Sequence, residues 1–229
     1  MRRPTRSPEK SWRRSARADV RLFLTGTDTG VGKTHVAALL VRSLRAADLD
    51  SVGMKPICCG DRDDAEILHA AADGAAPLND VNPVWLRVPA APYTAAMIEN
   101  RPIDLALIHE SFQRLSGSHR SLIVEGVGGW RVPITRDYFV SDLAAELALP
   151  IAVVAANRLG AINHTLLTVE AIRARGLTCA GVILNQATPA GERPTVAETT
   201  NRAVLEDMLP VPILFEIAHG QRTLEMGIA

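Results

Sequence analysis

Lysine is nearly missing from this 229-residue chain, which has three, Lys10, Lys33 and Lys55, against 22 arginines. Cysteine is also sparse. Cys58, Cys59 and Cys179 are too few for a disulfide framework, and an adjacent pair lacks the spacing of a zinc knuckle. That usage points to a reducing, cytoplasmic compartment. No apolar run approaches the roughly 18–20 residues needed to cross a bilayer, which speaks against a membrane span. No Gly/Ser- or Pro-rich linker divides the chain, so residues 20–229 read as one domain, with 47% hydrophobic residues to fill a core.

Net charge is absent overall, at +0, but unevenly so. Residues 1–19 carry seven Lys or Arg against Glu9 and Asp19, leaving 18 basic and 23 acidic residues in the remainder. The basic stretch reads as a disordered leader, because it has charge and no apolar core. The rest has no basic face, which argues against a nucleic-acid partner.

What the chain does have is regular alternation. Apolar strand-like runs occupy 20–26, 51–57, 120–126, 150–157, 178–185 and 211–217. Helix-like stretches fall at 33–47, 63–72, 104–116, 141–148, 161–175 and 196–208. Continuous apolar strands are those covered on both faces, so the pattern predicts a doubly wound α/β fold with a mostly parallel sheet. In 161–175, Ile162, Leu166, Val169 and Ile172 recur at helical spacing and are expected to face that sheet. Ligands of such folds collect beyond the carboxyl ends of the strands.

The first of those ends carries "TGTDTGVGKT", residues 25–34. Strand, Gly-rich turn, Gly-Lys-Thr and helix make the context of a P-loop. Backbone N–H groups from Gly30 through Val31, Gly32 and Lys33 to Thr34 would cradle phosphate oxygens at a helix N-terminus. Lys33 would reach the β and γ phosphates of a nucleotide, and the Thr34 hydroxyl would bind Mg²⁺. The loop has Thr27 where the standard pattern has its first glycine, with Gly26 one residue earlier.

Magnesium takes one or two carboxylates besides phosphate oxygens. Asp64, in "DRDDAEIL", reads either as a metal ligand or as a helix cap. Glu125 ends a buried apolar run, where an ionised carboxylate needs a partner. Lys55, before Pro56 at another strand end, reads either as a surface lysine or as a second cation beside the γ-phosphate. The scarcity of lysine favours a role that needs a compact ammonium and not a guanidinium fork.

"TGTDTGVGKT", "KPICCG", "EGVGGW", "NRLGAINHTLLTVEAI" and "GVILNQ", in this order, resemble the dethiobiotin synthetases, ATP-dependent ligases of the biotin pathway. The likeness runs from about residue 21 to 217 and implies a homodimeric, P-loop NTPase-type fold. It implies 7,8-diaminopelargonic acid, CO₂ and MgATP as substrates, joined through a carbamate and a carbamic-phosphoric anhydride. By the resemblance, Lys55 and Lys33 are the catalytic cations, and Thr34, Asp64 and Glu125 hold Mg²⁺. Gly30 to His35 would surround the phosphates, while Glu125, Gly126, Val127 and Gly128 line the site. Thr29, Lys55 and Cys59 would face the diamine, with Cys59 standing where the family has Ser or Thr. Asn163 would bind the substrate carboxylate across the dimer interface. Asn185, followed by Gln186, would read the base, with Ala218 and His219 closing over it.

A rival of another class is a nucleotide-switched ATPase of the partitioning or iron-protein type. Those loops carry an extra lysine where this chain has Asp28, and no cluster-ligating cysteine pattern is present.

Overall fold

The computed structural model describes residues 19–187, 189 and 194–224. The basic leader lies outside them except for Asp19, which accepts a hydrogen bond from Arg120. The first half of the chain runs β1 (Arg21–Gly26), α1 (Lys33–Ala46), β2 (Ser51–Met54), β3 (Ile57–Cys59), α2 (Asp63–Ala71), α3 (Leu78–Val81), β4 (Val84–Leu86), α4 (Pro92–Ile98). It continues α5 (Leu105–Ser118), β5 (Ser121–Gly129), α6 (Val140–Leu147), β6 (Ile151–Ala156), α7 (Ala161–Ala174), β7 (Cys179–Asn185), α8 (Val196–Met208), β8 (Ile213–Ile217). Among the described residues no helix is long and apolar enough to cross a membrane.

Six strands form one sheet in the order β2-β5-β1-β6-β7-β8, with every pairing parallel. Every residue of β6 is buried. Because successive side chains point to opposite faces, both faces of the sheet are covered there, as the apolar runs predict. β1 lies between β5 and β6, so the chain crosses over to either side of it and opens a crevice at its carboxyl end. Glu125 is not at a strand terminus: it is the fifth of nine residues in β5, paired with Leu24 just before the register of β1 shifts.

The expected strand 51–57 is two strands in different sheets. β2 stops at Met54, the Lys55 N–H turns to the Val81 carbonyl, and Pro56 has no N–H to give to a ladder. Ile57, Cys58 and Cys59 instead pair in parallel with Val84, Trp85 and Leu86 of β4, making a small second sheet. The three-residue β4 and the short α3 and α4 are too brief to show a period.

The stripe expected on α7 is met at Val169 and Ile172, with Ile162 packed at the edge of the core, and the buried row is wider than that stripe. Ala161, Thr165, Thr168, Val169 and Ile172 are buried, whereas Ile162 and Leu166 are only half-buried. Small side chains on the buried row let the helix approach the sheet closely. Leu159 and Leu167 are left 88% and 57% exposed.

Asn82 fixes the place where β2 leaves the sheet. It is 1% exposed, and its Nδ2 donates to the carbonyls of Lys55 at 2.8 Å and Val84 at 2.9 Å. Its Oδ1 accepts from Arg62 Nε at 2.9 Å. Asn82→Ala would strand these groups in the interior and is expected to cost about 2–3 kcal/mol of stability by urea unfolding. A loss below about 0.5 kcal/mol would show that the bonds do not hold this segment.

Candidate active site

The loop between β1 and α1 takes its shape from two glycines in the left-handed region, Gly30 at φ 73° and Gly32 at φ 87°. Gly32 also has no room for a side chain, since a Cβ there would meet Asn185 Nδ2 at 2.1 Å. Asn185, at the end of β7, donates that Nδ2 to the Val31 carbonyl at 2.9 Å and so braces the loop from behind. The loop delivers the first turn of α1, whose leading N–H groups have no intrahelical partner and favour an anion.

Lys33 opens α1 and is 6% exposed, donating to the Asp28 carbonyl at 3.1 Å. Burial, and then the nearby Lys55 ammonium, lower its pKa to about 8 against the pull of Glu125, Asp64 and Asp28. Lys55 is 4% exposed, and its Nζ lies 2.5 Å from Glu125 Oε1 and 2.6 Å from Asp64 Oδ2. Burial works against its charge, but Glu125 and Asp64 outweigh it and hold the ammonium above the ordinary lysine range.

Asp64 sits in the first turn of α2 without capping it: the N-cap is Arg62, and no side chain caps that end. Its carboxylate goes to Lys55 and to Thr34, so the cap alternative falls. Burial raises its pKa, yet Lys55 and the hydrogen bonds of Lys55 and Thr34 hold the carboxyl below its usual range. Glu125 is fully buried. Burial pushes its carboxyl up while Lys55 opposes, a shift toward the neutral acid, whereas the shift of Lys55 favours an ion pair. Contacts of 2.5 and 2.6 Å favour the ionised pair, because protonating Glu125 would remove one of the two carboxylates that neutralise the buried ammonium.

The Thr34 hydroxyl lies 2.7 Å from Asp64 Oδ1 and 2.9 Å from Glu125 Oε1 and has one proton to donate. Glu125 Oε2 is buried with no hydrogen-bond partner. A hydroxyl between two carboxylates, with one orphaned carboxylate oxygen, is an oxygen-only donor set that fits Mg²⁺. Two protein acids suffice, since magnesium draws further oxygens from phosphate and water. Among the described residues no group of three or more His, Cys, Asp or Glu offers a transition-metal site.

These side chains line one cavity of about 640 Å³ together with Thr29, Gly30, Gly32, Cys59, Val127 and Gly128. Val31 and Gly126 are not among its walls. Val31 is buried in the core, and Gly126 faces the Phe23 ring and Val140, leaving neither a side chain for the site. His35 lies outside it, its Nε2 buried and unpartnered, and burial, Arg42 and His219 lower its pKa. Gln186 and Ala218 line a separate cavity of about 400 Å³ with Glu198 and Glu216, at the carboxyl ends of β7 and β8. Asn163 is exposed on the first turn of α7, whose N-cap is Gly160, and belongs to neither cavity. The sequence reading missed the wall formed by Pro89, Ala90, Ala91 and Pro92. Pro92 at the first position of α4 was its one local signal. Burial pushes the Cys58 and Cys59 thiols up to about 12 and about 11, so both face the site protonated.

A family model described as an AAA domain matches residues 20–222. The ATP-dependent dethiobiotin synthetase BioD of Akkermansia muciniphila is 45% identical over 90% of this chain and 95% of its own. Its counterpart from Anaeromyxobacter dehalogenans is also 45% identical, over 89% of this chain and 94% of its own. The chain belongs to the dethiobiotin synthetase family. As a member it is an ATP-dependent ligase of biotin biosynthesis. Among solved structures, a ParA family ATPase of Chlorobium tepidum matches at 13% identity, covering 88% of this chain and 84% of its own, TM-score 0.51. The septum site-determining protein MinD of Pyrococcus horikoshii matches at 17% identity, covering 88% and 81%, with TM-score 0.51. Identities that low show a shared fold and do not favour the partitioning-type reading over the dethiobiotin synthetase family.

A phosphate-binding role for Lys33 in this dethiobiotin synthetase family member predicts that nucleotide binding depends on pH. Below about 8 the free protein presents the cation, and above it the proton must be taken up on binding. ATP affinity is therefore expected to fall about tenfold per pH unit above 8, with uptake of one proton. Calorimetry in buffers of different ionisation heat measures both, and an affinity flat from pH 7 to about 9.5 would contradict it.

Proposed function

We propose that this chain closes the ureido ring of dethiobiotin on 7,8-diaminopelargonic acid, using CO₂ and ATP, at the Lys33–Lys55–Asp64–Glu125 site. One amine of the diamine takes up CO₂ as a carbamate, releasing a proton. A carbamate is a poor electrophile. Its oxygen attacks the γ-phosphorus, ADP leaves, and the mixed anhydride gains phosphate as a leaving group. The second amine then attacks the carbonyl carbon and expels phosphate, closing the ring.

The observation that carries this reading is two buried lysines on one cavity at the switch point of the sheet, with Lys55 paired to both Asp64 and Glu125. Lys33 and Lys55 are placed to offset the charge of the carbamate and the γ-phosphoryl group, a catalysis of position and electrostatics. Thr34, Asp64 and Glu125 would hold Mg²⁺, which supplies charge neutralisation on the phosphate oxygens. Thr29 and Cys59, which line the cavity, suit the diamine. Cys59 offers a protonated thiol, a weaker donor than a hydroxyl. The Asn185 Oδ1 is buried without a partner and suits the exocyclic amine of adenine; Gln186 and Ala218 line the neighbouring cavity, and His219 follows Ala218 in the chain.

The enzyme works as a homodimer in the cytoplasm. The exposed Leu159, just ahead of α7, and Leu167, on α7 with Asn163, support a partner surface there that brings Asn163 to the far carboxylate of the substrate.

The test is ADP release with and without 7,8-diaminopelargonate, with labelled bicarbonate as the carbon source. Release is expected to depend on the diamine, and label is expected in the ureido carbon. Turnover that ignores the diamine, or an unlabelled product, would overturn the proposal.

A further inference from the structure

Lys55 occupies the place between Asp64 and Glu125 where a divalent cation would bind. Its ammonium is the compact cation nearest both carboxylates, at 2.6 Å and 2.5 Å. Lys33 does not share that place, because its own Nζ is turned to the Asp28 carbonyl. The Lys55 side chain is 5% exposed, Glu125 0% and Asp64 43%, so this is a largely desolvated arrangement with one side open to the cavity.

We propose that Lys55 is a place-holder for the metal: in the nucleotide-free protein its ammonium occupies the divalent-cation position and keeps the metal out until a nucleotide arrives. The inference rests on the assignment of Thr34, Asp64 and Glu125 as the metal ligands. Charge explains the exclusion. Two carboxylates and two ammonium groups already balance, and a free divalent cation would add two positive charges beside Lys33 and Lys55 in a low-dielectric site. A triphosphate reverses that balance and offers oxygens to which the Lys55 ammonium can move.

The chain is built for such a move. The Lys55 backbone is pinned by its N–H to Val81 at 2.7 Å and by Asn82 on its carbonyl at 2.8 Å. Only the flexible four-carbon stem has to change rotamer. Two acceptors hold the ammonium, and its third proton has no acceptor among the described residues, leaving it for an incoming phosphate oxygen. A guanidinium is too broad to sit at a cation site and withdraw from it, which gives this one lysine a reason in a chain of arginines. Lys55 is thereby a positioning residue for the metal as well as a cation for the phosphate.

The experiment titrates Mn²⁺ into the full chain and reads free Mn²⁺ by electron paramagnetic resonance, with and without a non-hydrolysable ATP analogue. Wild type alone is expected to bind Mn²⁺ weakly, and Lys55→Gln alone at least about tenfold more tightly, since the competing ammonium is gone. Mg²⁺ should correspondingly raise the Tm of Lys55→Gln without nucleotide and leave that of wild type unmoved. Equal Mn²⁺ affinity of the two proteins without nucleotide would overturn the place-holder while leaving the ligand assignment standing. Glu125→Gln is expected to lose Mn²⁺ even with the analogue; unchanged binding there would overturn the ligand assignment itself. Should Lys55→Gln fail to fold, ¹⁵N spectra of wild type decide. Mg²⁺ alone must leave the Lys55 ammonium signal in place, Mg²⁺ with the analogue must shift it, and a shift with Mg²⁺ alone contradicts the inference.

Discussion

One buried ammonium shared by two carboxylates holds the site together. Lys55 comes from the turn that ends β2, Asp64 from the first turn of α2 and Glu125 from the middle of β5. The hydroxyl of Thr34 ties α1 to the same pair of acids. Four elements that are distant in sequence are thus fixed to one another by a charge contact, at the carboxyl edge of the sheet. Desolvating such groups costs several kcal/mol each unless the pairing is close and further hydrogen bonds satisfy them. Removing one partner therefore does more than delete a contact, because it leaves an uncompensated charge inside the protein.

The surrounding structure keeps that contact in register. Asn82 pins the Lys55 backbone while Arg62, two residues before Asp64, binds Asn82 from the other side. Asn185 braces the phosphate loop through Val31, so the far half of the sheet supports the position of Lys33. On the place-holder proposal, backbone and side chain divide the work: the frame holds the acids still, and the Lys55 ammonium moves from them to a phosphate. Lys33 completes the charge pattern at short range, with its proton held less firmly because it is buried and Lys55 is close.

Much of this was legible in the sequence where the determinants are local. The phosphate loop announces itself within a dozen residues, because strand, glycines, Lys-Thr and helix follow without a break. Glu125 stood out because an acid within an apolar run needs a partner, although its strand continues past it to Gly129. The second sheet was not legible: three residues of Val-Trp-Leu carry no period, and Pro56 hid a strand change inside one apolar run. Asn82 carried no signal in the sequence, since what matters about it is its bonds to the carbonyls of Lys55 and Val84. The row on α7 was legible only in part, because Ala161, Thr165 and Thr168 share the buried face through being small, while pattern reading favours large apolar residues.

With only three lysines in the chain, the side-chain ¹⁵Nζ signals can be followed one by one. The most direct measurement is a pH titration of the Lys55 signal in the nucleotide-free protein. The structure predicts an ammonium slow to exchange with solvent and still protonated above the ordinary value of 10.5. A Lys55 signal that exchanges freely and titrates at about 10.5, as an exposed lysine does, would contradict the buried, shared charge on which the site depends.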